Sequence, residues 1–482
     1  MFSRAGVSPL NQITPAYGPQ DAAALAPILA EGAAAPAAMV ATSEEAEPAD
    51  TIGYAAPAAP AQTLPSSAES AAVHAFWLPN DAWRNISAFS SQEDLFNVRA
   101  INRTIKRQVD HAIATVIIRG SEVRAFIGSD SFTRLQTLRL EYAGEDDLLL
   151  LAGHLAAQPR PRLTLELAHF DLLTTRCMAV LPALPLARLH LIGSPPMEGL
   201  DALTACAYPV TLQGHLWGGV FLAAALRIPT LEKLVAHGEV IEQSWTQQLA
   251  YHPALEILHI GIANHADTIG VLATLPRLRE LCLNIVTATP QLLSPEAACA
   301  LAGSPRLETL TIVSTRSLTE DSLRALSQSA SLKTLTMPIF RGMGGLSHMA
   351  SLKHLAFNNF IDFVDVTMVS AETIRHIANA PSLQTIRFPD MPFDADALVV
   401  LFKNSGASKL KFEGKLVLSA DDRAALMSNT TLSELVLSQG FEQGSDVALL
   451  CGHPTLKRLR VGDTEYRRLP EQANLTLRND VA

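Results

Sequence analysis

From Leu135 to Val461 the chain repeats one short phrase of apolar and polar positions, Leu-x-x-Leu-x-Leu with apolar substitutes. The stretch Pro305–Pro338 shows it twice, as Leu307-Glu-Thr-Leu310-Thr-Ile312 and Leu332-Lys-Thr-Leu335-Thr-Met337. Alternation with a period of two predicts a short strand with one apolar and one polar side. Between the phrases lie helix-like texts, such as Ala297–Ala302, Asp321–Ser327, Glu372–Ala378 and Asp421–Met427, several opening with acids or Ser. Taking the middle residue as anchor, the units centre on Leu138, Leu165, Leu189, Leu212, Leu234, Leu258, Leu281, Leu310, Leu335, Leu355, Ile386, Leu410, Leu435 and Leu459. Their separations run from 20 to 31 residues and cluster near 24.

That period predicts an α/β fold: a leucine-rich-repeat solenoid over 135–465, about 14 units of inner parallel strand and outer helix. One unit cannot bury its apolar side alone, so neighbours stack. Strands pack closer than helices, so the strand side is expected to be concave. The residues between the anchors then line it: Thr309 and Thr311, Thr334 and Thr336, His354, Thr385 and Arg387, Lys409 and Lys411, Arg458 and Arg460. They are the candidate contacts for a protein target, against the plain alternative that threonine suits any solvated strand. Residues 116–134 are expected to be a cap or half-repeat, and 466–482 a C-terminal tail.

In front of the array the pattern changes twice. Residues 1–70 are rich in Ala and Pro and carry Arg4 against seven acids: Asp21, Glu31, Glu44, Glu45, Glu47, Asp50 and Glu69. So little periodic apolar surface predicts a disordered leader. It fits either a plain linker or a leader read by a dedicated bacterial export machine. From about residue 76 to 115 a helical module is expected. Leu78-Pro79 sets an extended residue before a first helical turn. Trp83, Ile86 and Phe89 then recur on one helical face. A second amphipathic segment carries Leu95, Val98, Ile101, Ile105, Val109 and Ile113, with Arg99, Arg103, Lys106 and Arg107 opposite.

This order of Leu-Pro, hydrophobic helix, Asp94-Leu95 and a second amphipathic helix resembles an F-box. Module and array together resemble F-box leucine-rich-repeat proteins, and more narrowly the GALA family, type III effectors of plant-pathogenic bacteria. The family's Gly-Ala-Leu-Ala helix phrase is intact in no unit. The Asn that usually follows the strand is also missing, its places holding Phe170, Ser194, Thr315, Phe340, Phe360, Met391 and Gly440. The resemblance implies a substrate adaptor of a cullin-based ubiquitin ligase. Leu78, Pro79, Trp83, Ile86, Phe89, Leu95 and Val98 would dock a Skp1-like protein, and the repeats would hold the target. The other reading of the module is a plain helical cap, which would make the chain a binding scaffold or decoy. As an effector it would leave the bacterium without a conventional secretory signal peptide and act in the host cytoplasm or nucleus.

Composition narrows the rest. Hydrophobic residues make up 48% but aromatics only 6%, so the apolar content is aliphatic, as stacked Leu layers require. The net charge of −10 argues against a nucleic-acid partner. Five cysteines form no C-x-x-C pair and are expected as buried free thiols in a reducing compartment. No apolar run reaches the roughly 18 residues of a membrane helix, so no membrane insertion is expected. Neither H-E-x-x-H, G-x-S-x-G nor a phosphate loop occurs, and Gly342-Met-Gly344-Gly345 lacks the Lys such a loop needs. His252, His265 and His453 sit near repeat turns, as solvated or hydrogen-bonded residues. Cys451 falls in a unit's helix and reads as core. After Val461 only about 20 residues follow, too few for a cysteine-dependent ligase domain. No catalytic residue, metal or cofactor is expected.

Overall fold

A computed structural model of the 482-residue chain describes residues 114–128, 134–169, 174–193, 197–215, 219–241, 243–262, 266–285, 293–314, 318–340, 342–358, 368–441, 445–468 and 474–477. The leader and the helical module up to residue 113 lie outside them.

The strands are β1 (Thr115–Arg119), β2 (Thr137–Glu141), β3 (Thr164–Ala168), β4 (Arg188–Ile192), β5 (Val210–His215), β6 (Leu231–Ile241), β7 (Ile257–Ile262), β8 (Glu280–Ile285), β9 (Thr309–Ser314), β10 (Thr334–Met337), β11 (His354–Phe357), β12 (Thr385–Phe388), β13 (Lys409–Phe412), β14 (Glu434–Leu437), β15 (Arg458–Val461), β16 (Thr464–Arg467) and β17 (Thr476–Leu477). They form one 17-stranded sheet. From β1 to β15 each strand pairs in parallel with the next. Helices such as Pro295–Ala302, Glu320–Leu326, Ala371–Ala378, Ala397–Asn404 and Ala420–Ser428 make the crossovers. The fold is a leucine-rich-repeat solenoid, as the period predicts. Every anchor from Leu138 to Leu459 lies on a strand and is at most 1% exposed.

Two features depart from an even stack. Leu212 does not stand level with Leu189: the β4–β5 register sets Val210 against Leu189 and Leu212 against Leu191. A bulge in the β5–β6 pairing then restores the line, with Leu212 against Leu234. At the other extreme, the 20-residue unit between Leu335 and Leu355 has no α-helix and crosses over through a 3-10 turn, Met343–His348. A Cβ on Gly345 would stand 2.8 Å from backbone of Leu323 and Arg324, so only glycine lets this turn sit against helix Glu320–Leu326. The Gly cluster at 342–345 therefore serves packing.

The ends are also built from strands. In the 116–134 segment, β1 pairs residue for residue with β2 and is followed by a short helix, Val123–Ile127. Past β15 the chain turns back, and β16 and β17 pair antiparallel.

Without an Asn line after the strands, a different ladder runs at the turn between helix and strand. Side-chain hydroxyls there donate to the matching carbonyl one unit earlier. Ser331 bonds Ser304 O at 2.8 Å, Ser351 bonds Ser329 O at 2.9 Å, Ser382 bonds Ala350 O at 2.6 Å and Thr431 bonds Ser405 O at 3.0 Å. Three larger side chains bridge the same turns. His252 meets Ile228 O at 3.0 Å, His453 meets Leu426 O at 2.9 Å, and Asn429 donates to Phe402 O at 2.6 Å. Each also accepts from its own turn's backbone N–H, at Leu255, Leu456 and Leu432. Turn carbonyls and amides that would otherwise be buried unpaired are thus satisfied. Phe340, at one of the places expected for Asn, packs into the core.

The core changes character along the array. In β11–β13 the third apolar position is aromatic. Phe388 stacks between Phe357 and Phe412 at ring separations of 5.5 and 5.3 Å, and Phe393 meets Phe388 and Phe412 edge-on.

Candidate functional site

Strand alternation sends the residues between the anchors to the solvent side of the sheet. Parallel register then lines them into two columns. One runs Thr309, Thr334, His354, Thr385, Lys409, Glu434, Arg458. The other runs Thr311, Thr336, Ala356, Arg387, Lys411, Val436, Arg460. All eleven residues expected to line the binding face fall in these columns, and all are half-buried or exposed. The docking set Leu78, Pro79, Trp83, Ile86, Phe89, Leu95 and Val98 lies outside the described residues.

The columns carry an ion-pair lattice, and its acids were not among the expected residues. Glu413 takes Arg387 Nε at 2.8 Å and Lys411 Nζ at 3.4 Å. Glu434 takes Lys409 Nζ at 2.9 Å and Arg458 Nη1 at 3.6 Å. Glu465, brought back by β16, takes Arg458 Nε at 2.8 Å and is also held by Arg467. Hydrogen bonds from Arg467 and Arg458, with their positive charge, pull the Glu465 carboxyl down to about 2. Lys411 and Arg467 lie two residues from their glutamates, whereas Arg387, Lys409 and Arg458 reach theirs from an adjacent strand, 7 to 26 residues away in sequence. Pairing on adjacent strands is legible only once register is known. Arg460 is exposed; its Nε donates to Gly462 O at 3.1 Å, and it has no acid among the described ion pairs.

Across β2–β9 the lattice is more acidic. Glu166 faces His190 at 3.3 Å, Glu280 faces His259 at 2.7 Å, Glu232 holds Arg188 at 2.9 Å and Glu308 holds Arg279 and Lys333. Burial lowers the His190 pKa, partly opposed by Glu166. Past the ends of β2 and β3, Tyr142 and His169 take left-handed backbones, φ 52° and 56°, and their rings stack at 4.7 Å.

The thiols differ from the expectation of burial. Cys177 and Cys206 are buried, Cys282 and Cys451 half-buried, and Cys299 exposed. Cys451 packs against the core. Cys282 stands on the solvent side of β8, level with Thr311, and burial and Glu280 push its thiol up to about 11. It is therefore protonated and a poor nucleophile at neutral pH. His252 and His453 are buried and hydrogen-bonded, and His265 lies outside the described residues. Among the described residues no group of three or more His, Cys, Asp or Glu is arranged to hold a metal ion, and no helix is long and apolar enough to cross a membrane.

No family model and no curated protein matches the chain. Solved structures similar to it include Toll in the Toll–Spatzle complex of Drosophila, at 14% identity and a TM-score of 0.39. That likeness covers 72% of this chain and 43% of Toll, so the chain spans less than half of that relative. An internalin (inlF) of Listeria monocytogenes str. 4b F2365 is similar at 13% identity and a TM-score of 0.35, covering 71% of this chain and 88% of the internalin. The receptor in the TLR13–ssRNA13 complex is similar at 14% identity and a TM-score of 0.34, covering 74% of this chain and 57% of the receptor.

Proposed function

We propose that the protein is a recognition solenoid that captures a protein target on the solvent side of β9–β15. The observation that carries this reading is the pair of columns, polar or charged at every position but Ala356 and Val436, that stand in register over seven strands. Such a rigid, extended face is what repeat proteins offer to partners.

The fuller reading is an adaptor of a cullin-based ubiquitin ligase. Its support is the sequence phrase Leu78-Pro79, Trp83/Ile86/Phe89, Asp94-Leu95 and Val98. Those residues dock a Skp1-like protein, the repeats bring the target, and other subunits supply the chemistry. The Ala/Pro-rich leader, with one base against seven acids, supports export from a bacterium and action inside a host cell. A pull-down of the full chain with a Skp1-like protein tests the adaptor. Wild type is captured and Leu78→Ala/Pro79→Ala is not. A folded wild type that is not captured leaves the chain as a binding scaffold or decoy.

A further inference from the structure

We infer that the solvent side of β12–β16 docks an acidic segment of the target protein, an inference that rests on reading this face as protein-binding. The lattice here holds five permanent cations, Arg387, Lys409, Lys411, Arg458 and Arg467, on three carboxylates, Glu413, Glu434 and Glu465. Arg460, opposite Glu465 in the register but in none of the described ion pairs, adds a sixth cation. The described ion pairs of β2–β9 do not share this excess: Glu141, Glu166, Glu232, Glu280 and Glu308 outnumber the permanent cations Arg139, Arg188, Arg279 and Lys333. One end of the face is therefore cationic in a chain whose net charge is −10.

Depth adds to the imbalance. The five cations keep 33–48% of their side-chain surface in solvent, whereas the three carboxylates keep 21–24%. A partner meets ammonium and guanidinium groups first, with the acids beneath them. The recessed glutamates hold those groups in fixed positions, so less side-chain entropy is lost on binding. Spacing narrows the occupant further. Strands lie about 4.8 Å apart, so Lys409 and Arg458, two strands apart in one column, stand about 10 Å apart. A segment in the polyproline II conformation, which returns every third side chain to one face about 9 Å further on, matches the column when it crosses the strands with a carboxylate at every third residue. A nucleic acid fits less well. The columns of β12–β16 carry no aromatic ring for base stacking, and the interleaved glutamates repel phosphates.

The test uses the full chain and a labelled peptide of roughly fifteen residues with Glu at every third position, the other positions Pro and Ser. A Lys-for-Glu peptide and a single-stranded oligonucleotide are the comparisons. The acidic peptide is expected to bind, to weaken as salt is raised, and to lose at least about tenfold in affinity with Lys411→Glu/Arg460→Glu. Glu434→Gln, which removes a competing carboxylate, is expected to tighten it. Arg188→Glu, on the acidic end, should leave it within about twofold. Circular dichroism confirms that each variant is folded. No binding of the acidic peptide, binding indifferent to the lattice variants, or preference for the oligonucleotide overturns the inference. Capture of a Skp1-like protein is measured on the same samples. Capture without peptide binding removes this inference and leaves the adaptor reading; peptide binding without capture does the reverse.

Discussion

His453 Nε2 lies 2.9 Å from the carbonyl oxygen of Leu426, 27 residues earlier and one repeat back. The Leu456 amide donates to Nδ1 at 3.2 Å, so the network assigns the neutral ring with its proton on Nε2. His252 makes the same pair of bonds to Ile228 O and the Leu255 amide. Asn429 makes them with its amide, to Phe402 O and the Leu432 amide. Two residue types thus perform one task, joining a turn to the turn before it.

That geometry sets a pH dependence. Burial lowers the pKa of both His252 and His453. In the unfolded chain an imidazole takes a proton near pH 6.5. Below that value the unfolded state binds more protons than the folded one, so stability falls as pH drops from about 6.5 toward the lowered folded value. Above about 6.5 these two groups contribute no slope. Urea denaturation at pH 5 and pH 7.5 measures the difference. His453→Asn is expected to reduce it, and an unchanged difference in that variant would exclude this origin.

At neutral pH the same site separates shape from hydrogen bonding. His453→Leu leaves the Leu426 carbonyl and the Leu456 amide buried without partners, at a cost of about 1–3 kcal/mol. His453→Asn can rebuild the Asn429 arrangement and should retain most of the stability. Equal losses in the two variants would mean that ring volume, not bonding, is what matters.

In the aromatic layer, Phe388 is fully buried between Phe357 and Phe412. Phe388→Ala opens a cavity that three neighbouring rings cannot readily fill, and a loss of about 3–5 kcal/mol is expected. Phe388→Leu, which places there the residue found at Leu140, Leu167, Leu191, Leu283 and Leu437, should lose less. Thermal denaturation ranks the pair.

The repeat was legible because its signal is local: each strand carries its own alternation, and the period of about 24 residues repeats it. Leu212 shows where that signal stops. Val210 and Leu212 are both apolar and two residues apart, so the text fits either register, and only pairing with β4 selects one. Glu413, Glu434 and Glu465 were illegible for a related reason, since each also pairs with a cation on an adjacent strand: Arg387, Lys409 and Arg458. The turn ladder was hidden by its mixed chemistry, with Ser, Thr, Asn and His sharing one role. His453 was correctly placed at a turn, but its burial depends on packing that the sequence does not state.

Glu465 offers a local measure of the lattice. Arg467 and Arg458 depress its carboxyl to about 2, against a usual value near 4.3. The stabilisation is present above pH 4.3 and is lost as pH falls through about 2. Glu465 is half-buried at the sheet surface, where solvent and salt still screen its ion pairs, so the gain is small. Carboxyl carbon shifts followed by NMR report the titration directly. Arg467→Gln and Arg458→Gln should each move the midpoint upward. A midpoint that stays put in both variants would mean that the two guanidinium groups do not hold the carboxyl down.

Trp83 tests the adaptor reading with a single side chain. The sequence pattern groups Trp83 with Ile86 and Phe89, and a large aromatic concentrates binding energy when a partner buries it. Trp83→Ala should therefore weaken capture of a Skp1-like protein by at least about 2 kcal/mol, roughly thirtyfold. Arg103, which the same pattern sets apart from the apolar positions, supplies the contrast: Arg103→Ala should change capture by less than about threefold. Surface plasmon resonance on the full chain gives both values. If Trp83→Ala binds as wild type does while the solenoid keeps its far-ultraviolet spectrum, the helical face carrying Trp83, Ile86 and Phe89 is not the docking face, and the segment is better understood as a cap on the repeats.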